Sequence, residues 1–135
     1  MGRSIAAILV GTIVGAITVF GVEYASHLVY PPPSGLDMRN PEAMKAWIET
    51  LPVGAMLMVA AAWLAGTFDG ALTAGLVARR APRVHGFLVF AILTAMVVVN
   101  LFALPHPAWM WIAGPVACLV GGAAGATLAR KMKKD

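Results

Sequence analysis

The sequence predicts an all-α integral membrane protein, a four-helix bundle with both termini in the cytoplasm and a short amphipathic helix in its first outer loop. Composition is the first observation behind this prediction. Apolar residues make up 60% of the 135 positions and charged residues only 12%, against about 45–50% and 25% in soluble domains. The second observation is that the apolar residues form four runs, each long enough to cross a hydrocarbon layer about 30 Å thick as a helix.

The basic residues predict how the spans are oriented. The spans cover about 5–30, 52–78, 86–104 and 108–129, within one transmembrane domain of residues 1–135. Most Lys and Arg residues flank a single side: Arg3, Arg79, Arg80, Arg83, Arg130, Lys131, Lys133 and Lys134. Because short cytoplasmic loops are enriched in Lys and Arg, we expect a multi-pass protein of the bacterial inner membrane with cytoplasmic N and C termini.

The same basic residues bear on the partners of the chain. Their place beside apolar runs favours anionic lipid headgroups over nucleic acid, which we exclude as a partner. The residues expected to contact headgroups are Arg79, Arg80, Arg83, Lys131, Lys133 and Lys134.

Small residues recur every four positions in three spans, which is typical of helices that pack closely in lipid. The glycines concerned are Gly11 and Gly15 in the first span, Gly66 and Gly70 in the second, and Gly121 and Gly125 in the fourth. Four spans enclose little interior, so we expect some of these stripes to form contacts between copies, in a homo-oligomer or a larger membrane complex.

The loop after the first span predicts a short helix. Asn40-Pro41-Glu42 has the order of an N-cap, a proline in the first helical position and an early acidic residue. Met44, Trp47, Ile48 and Leu51 then follow at spacings of three and four, which gives one apolar stripe. The helix could lie on the outer membrane surface, or it could cap a pocket or a partner-docking surface.

Asp69 is the charged residue deepest within a predicted span. It precedes Arg79 by ten positions, or about 15 Å of helix, which places it near the membrane midplane, where charge is costly. Thr12, Thr94 and Thr73 are the hydroxyl groups expected nearby. Asp69 is therefore either a proton or cation site facing a polar cavity, or a hydrogen-bonded contact between helices.

A second group of polar residues is predicted at the outer mouth. Glu23 and His27 are four apart on one helix face, Asn100 falls at comparable depth on the third span, and His106 lies on the same side of the membrane. Three interpretations are open: a hydrogen-bonded pair that anchors the helix end, a proton-relay or substrate-entry site, and a metal or haem site. The spacing demands no metal, and no catalytic, phosphate-binding or dinucleotide motif is present. We therefore predict no resident metal, no cofactor and no enzymatic activity.

The chain resembles a group of small bacterial four-span membrane proteins in several short segments: Glu23…His27…Tyr30-Pro31-Pro32, Leu51-Pro52, the glycine-rich end of the second span and Leu104-Pro105-His106-Pro107. That resemblance implies no assigned activity. In size and span number the chain is also similar to the small multidrug resistance transporters. However, Glu23 lies too near the outer edge for their acidic residue and their surrounding motif is missing, so neither their function nor their binding residues are transferred.

Two functions follow from these patterns as hypotheses. One is an accessory or self-associating membrane subunit that acts through helix packing. The alternative is a small oligomeric proton-coupled transporter that uses Asp69 and Glu23 as titrating groups. A polar cavity reaching Asp69 would favour transport, and a dry helix interface around it would favour the subunit.

Overall fold

The computed structural model describes residues 2–78 and 80–133, and within these ranges it contains five α-helices and no strand. The helices are α1 (Gly2–Val29), α2 (Pro41–Thr50), α3 (Val53–Val77), α4 (Pro82–Ala103) and α5 (Met110–Met132). All but α2 are long and apolar enough to cross a membrane. The predicted all-helical architecture with four apolar spans is therefore confirmed.

The four long helices form a row of three with the fourth on one side. α3 packs against α1, α4 and α5, while α4 also contacts both α1 and α5. α1 and α5 do not contact each other. It follows that α1, α3 and α5 lie side by side, that α4 covers one side of this row, and that the other side is left open.

Reciprocal glycine contacts join α1 to α3. A β-carbon on Gly11 would lie 2.7 Å from the carbonyl oxygen of Gly70, and one on Gly70 would lie 2.9 Å from the carbonyl oxygen of Gly11. Gly15 and Gly66 repeat the arrangement one turn away, at 2.7 and 2.8 Å. The two backbones approach so closely that only glycine fits at these four positions.

The glycines of α5 pack against α3 in the same manner. A β-carbon on Gly121 would meet the carbonyl oxygen of Leu64, and one on Gly125 would meet that of Phe68. All six glycines singled out in the sequence are thus covered within one chain. The expectation that some small-residue stripes serve contacts between copies stays a prediction.

Two basic side chains bind the C-terminal end of α3. Arg3 Nε donates a hydrogen bond to the carbonyl oxygen of Val77 at 3.0 Å, and Lys133 Nζ donates to that of Ala78. The last carbonyls of a helix lack partners within the helix and carry partial negative charge, so cations stabilise them. Lys133 therefore has a partner in the protein as well as its predicted lipid contact. Arg79 and Lys134 lie outside the described residues.

The short helix α2 forms at the position the sequence predicts. The side chain of Asn40 accepts hydrogen bonds from the backbone N–H groups of Glu42 and Ala43, at 3.0 and 3.2 Å, and Pro41 begins the helix. Trp47 and Ile48 are each only 9% exposed and belong to the cluster of buried residues around Trp63. The apolar face of α2 is thus directed at the bundle.

Candidate functional site

We call the end of the bundle at which α1 ends and α3 begins the cap end. It holds a cavity of about 200 Å³, which we call the upper cavity. The apolar side of α2 forms one wall through Met44, Trp47 and Ile48. Of the two interpretations of this helix, the structure favours the cap over a pocket. Packing on the bundle buries the stripe that membrane contact was expected to cover.

The predicted outer polar group lies around this single cavity. The residues from three separate elements that line it are Glu23, Ser26 and His27 from α1, Asn100 from α4, and His106 from the turn between α4 and α5. Antiparallel spans bring these sequence-distant positions to one level. The apolar pattern and the lengths of the spans are sufficient to predict that these polar side chains lie at the same end of the bundle.

Glu23 belongs to the polar group and also faces α3. It precedes His27 by one helical turn on α1, and it lines the lower cavity of the bundle together with Trp63. Trp63 is only 2% exposed, and its indole ring also packs against the His106 ring with centroids 5.7 Å apart. Trp63 therefore contacts the His106 ring and lines a cavity that Glu23 also lines.

His106 is held in one orientation by its own turn. Its Nδ1 lies 3.0 Å from the carbonyl oxygen of Leu104, so Nδ1 carries the proton in the neutral ring and Nε2 is the free acceptor. Burial of the ring lowers the pKa of His106, and the bond to the Leu104 carbonyl opposes that shift. The ring is consequently biased toward its neutral form.

His27 lies on the rim of the upper cavity. Its side chain is exposed, and its ring centroid lies 6.1 Å from that of Trp47 on α2. The contact joins the end of α1 to the capping helix.

A second cavity of about 150 Å³, here called the lower cavity, continues along the gap between α1 and α4. It is lined mainly by apolar groups: Ala16, Val19, Phe20, Leu93, Met96 and Val97. Glu23 and Asn100 line the upper and the lower cavity alike. These two polar side chains stand at the junction of the two spaces.

Asp69 belongs to neither cavity. Its carboxylate accepts a hydrogen bond of 2.9 Å from Thr18 Oγ1 on α1, and the side chain is half-buried. Neither the upper nor the lower cavity is lined by Asp69. The prediction of Thr12, Thr94 or Thr73 as its hydrogen-bonding partner is wrong, because α1 and α3 cross in a register that presents Thr18 instead.

Sequence reasoning missed Thr18 although a signal was available. Thr18 follows Gly15 by three positions and Asp69 follows Gly66 by three, so both lie one turn beyond a packing glycine on a similar face. Depth along the span alone predicts Thr12 as the partner. Its buried hydroxyl has no hydrogen-bond partner among the described residues.

Within residues 2–78 and 80–133, no group of three or more His, Cys, Asp or Glu side chains is arranged to hold a metal ion. No protein-family model, no curated protein and no solved structure matches the chain. The resemblance to small bacterial four-span proteins therefore stays a prediction.

Proposed function

We propose that the chain is a non-enzymatic multi-pass protein of the bacterial inner membrane that associates with a second copy of itself through the open side of the α1–α3–α5 row. The proposal includes cytoplasmic N and C termini. Its orientation is supported by the basic side chains gathered at the end opposite the cap end: Arg3, Arg80, Arg83, Arg130, Lys131 and Lys133.

The observation that carries this proposal is the position of the Thr18–Asp69 pair. Thr18 is turned about 140° around the α1 axis from Glu23, and Asp69 about 160° around the α3 axis from Thr67. Glu23 and Thr67 both line the lower cavity. The pair therefore lies on the side of the α1–α3 seam that faces away from the cavities and from α4.

A partly exposed carboxyl group in that position needs polar contacts beyond the single hydrogen bond from Thr18. Asp69 lies eight residues before the end of α3, or about 12 Å along the helix axis, well inside a membrane-spanning segment. Ionisable side chains at such depth face protein or a water-filled cavity, since hydrocarbon solvates them poorly. A second copy placed against this side would supply the missing polar contact.

The apolar surroundings of the pair also suit helix packing. In α1 only 17% of the most apolar window is buried, against 44% in α3. Val10 and Leu28 lie within a quarter turn of Thr18 around the α1 axis, and their side chains are 41% and 70% exposed. α1 can therefore gain packing contacts on the open side without rearranging the bundle.

Cysteine crosslinking in native membranes tests the proposal. Cys118 is buried and would be replaced by Ala, after which a single cysteine is introduced at Ala65 on the open side or at Val99 on α4. We expect oxidation to give dimers through Ala65→Cys and not through Val99→Cys, whose native side chain is 66% exposed. In the Ala65→Cys chain, Asp69→Leu should abolish the dimer, whereas Asp69→Asn should preserve it.

Native mass spectrometry provides an independent measurement of the same association. A dimer or larger assembly is expected from the unmodified chain, and a monomer from Asp69→Leu. A monomeric unmodified chain that also crosslinks equally through Ala65→Cys and Val99→Cys would overturn the proposal, because random collision would then explain the crosslinks.

The second candidate function is a small oligomeric proton-coupled transporter that uses Asp69 and Glu23. This function is supported by Glu23, which lines both cavities. Asp69 lines neither cavity, which weighs against a proton pathway that connects the two carboxyl groups. Proteoliposomes loaded with a pH-sensitive dye distinguish the two candidates. Transport requires a proton flux that Glu23→Gln and Asp69→Asn both remove, whereas the self-associating subunit shows no such flux.

Lipid contacts at the basic end form a separate part of the proposal. Arg80, Arg83 and Lys131 are exposed there and would each gain about 1 kcal/mol next to anionic headgroups. Vesicles with and without phosphatidylglycerol test this directly. The apparent melting temperature should rise with anionic lipid, and the Arg80→Gln/Arg83→Gln double variant should lose the increase.

A further inference from the structure

We propose that the upper and lower cavities together form one binding site for a single-chain amphiphile whose head group donates hydrogen bonds. The head would lie between Glu23 and Asn100, and the apolar chain would extend into the lower cavity between α1 and α4. This site lies on the side of α1 away from Thr18 and Asp69, so it is independent of the proposed self-association.

The division of polar and apolar groups carries the argument. At the junction of the cavities, Glu23 supplies carboxyl oxygens and Asn100 an amide oxygen. Beyond them, the wall of the lower cavity is apolar apart from the side chain of Thr67 and the indole N–H of Trp63. The hydroxyl of Thr67 already donates to the carbonyl oxygen of Trp63 at 2.8 Å. A molecule with one polar end and one apolar chain matches this arrangement.

The charges around the site select the head group. Glu23 is the only acidic residue lining the two cavities, and no Lys or Arg lines either one among the described residues. The other titratable groups, His27, His106 and Tyr30, line the upper cavity alone. A carboxylate or phosphate head would therefore face Glu23 without a fixed cation, whereas an amine or a hydroxyl could donate to it.

The upper wall suits an adaptable apolar contact as well. Met38, Met44 and Met56 line it beside Trp47 and Tyr30. Methionine side chains adjust to ligands of different shape. The gap between α1 and α4, which the lower cavity follows, is the route by which a chain would enter from the membrane.

Binding can be measured by tryptophan quenching in nanodiscs. Trp109→Phe and Trp111→Phe confine the emission to Trp47 and Trp63, which line the upper and lower cavities. Brominated dodecylamine serves as the quenching probe, and four unlabelled competitors share its chain length. We expect dodecylamine and dodecanol to displace it, and dodecanoate and dodecyltrimethylammonium, which lack a donor at neutral pH, to displace it weakly.

Two variants locate the head and the chain. Glu23→Gln should weaken dodecylamine binding by about tenfold because a charge-assisted hydrogen bond is lost, whereas Glu49→Gln, on the exposed side of α2, should have no effect. Ala16→Leu would fill the lower cavity, so it should weaken binding of dodecylamine but not of hexylamine. Thermal unfolding of each variant confirms that it is folded.

The outcome that would overturn this inference is simple partitioning into the bilayer. In that case all four competitors would act in proportion to their membrane solubility, and Glu23→Gln and Ala16→Leu would leave the quenching unchanged. Displacement by dodecylamine alone would restrict the head group to amines, and displacement by dodecanol alone would restrict it to alcohols. Either result supports the donor-head class.

Discussion

The carbonyl oxygen of Gly15 lies 2.8 Å from the point where a β-carbon on Gly66 would stand, and the reverse distance is 2.7 Å. Because the contact is made by backbone on both sides, neither helix can yield by turning a side chain. The separation of α1 and α3 at this point is therefore fixed by the absence of two β-carbons.

Replacing Gly66 by Ala should separate these helices. We expect a loss of about 1–3 kcal/mol in unfolding free energy, because the added methyl group overpacks a backbone contact. Thermal or denaturant unfolding of purified protein in detergent measures this loss. Gly21→Ala is the matched control, since a β-carbon there meets nothing within 4 Å and alanine favours a helix by about 0.5–1 kcal/mol. Equal stability of the two variants would contradict the prediction.

Two threonines of α1 should respond in opposite ways to the same substitution. Thr18→Val removes the hydrogen bond to Asp69 and should cost about 1–3 kcal/mol, because a partly buried carboxyl group loses its donor. Thr12→Val should be neutral or stabilising, since the buried Thr12 hydroxyl has no partner among the described residues. Unfolding in detergent compares the two directly. A larger loss for Thr12→Val would show that the register of α1 against α3 differs from the one described.

That contrast shows how far the sequence could predict this fold. Span number and length followed from apolar composition, and the start of α2 followed from Asn40-Pro41, because both depend on local chemistry alone. The pairing of Thr18 with Asp69 depends on the crossing register of two helices. Register is determined by where Gly11 and Gly15 meet Gly66 and Gly70, and depth along the chain does not determine it.

The site was predictable to a similar degree. Counting residues from the span ends places Glu23, His27, Asn100 and His106 at the same end of the bundle, and all four line the upper cavity. The lower cavity was not predicted, because it arises from the incomplete contact between α1 and α4. The apolar periodicity of a sequence does not show whether two apolar helix faces are in contact or leave a gap between them.

Arg3 and Lys133 should stabilise the bundle through the C-terminal end of α3. Arg3→Gln and Lys133→Gln should each lower the unfolding free energy by about 0.3–1 kcal/mol at low ionic strength, because they remove cations from the α3 carbonyls. The loss should shrink at high salt, where exposed charges are screened. Lys131→Gln, an exposed neighbour in sequence, is the control. If all three variants lose the same stability, net charge and not the capping contact is responsible.

His106 should make the stability of the fold depend on pH in a defined direction. Burial lowers the pKa of His106 below the ordinary 6.5, so between pH 6.5 and the folded-state pKa the unfolded chain binds more protons than the folded one. The contribution of neutral His106 to stability is therefore fully present above pH 6.5 and is lost as the pH falls below 6.5, because protonation favours unfolding.

Unfolding free energies of the unmodified chain and of His106→Gln, measured between about pH 5 and 8, test this prediction. The difference between the two proteins should change only below pH 6.5, with the unmodified chain losing more. His85→Gln, at the opposite end of the bundle, should leave that difference intact. A greater acid sensitivity in His106→Gln than in the unmodified chain would mean that His106 gains a proton on folding, which its contact with Trp63 in a buried setting argues against.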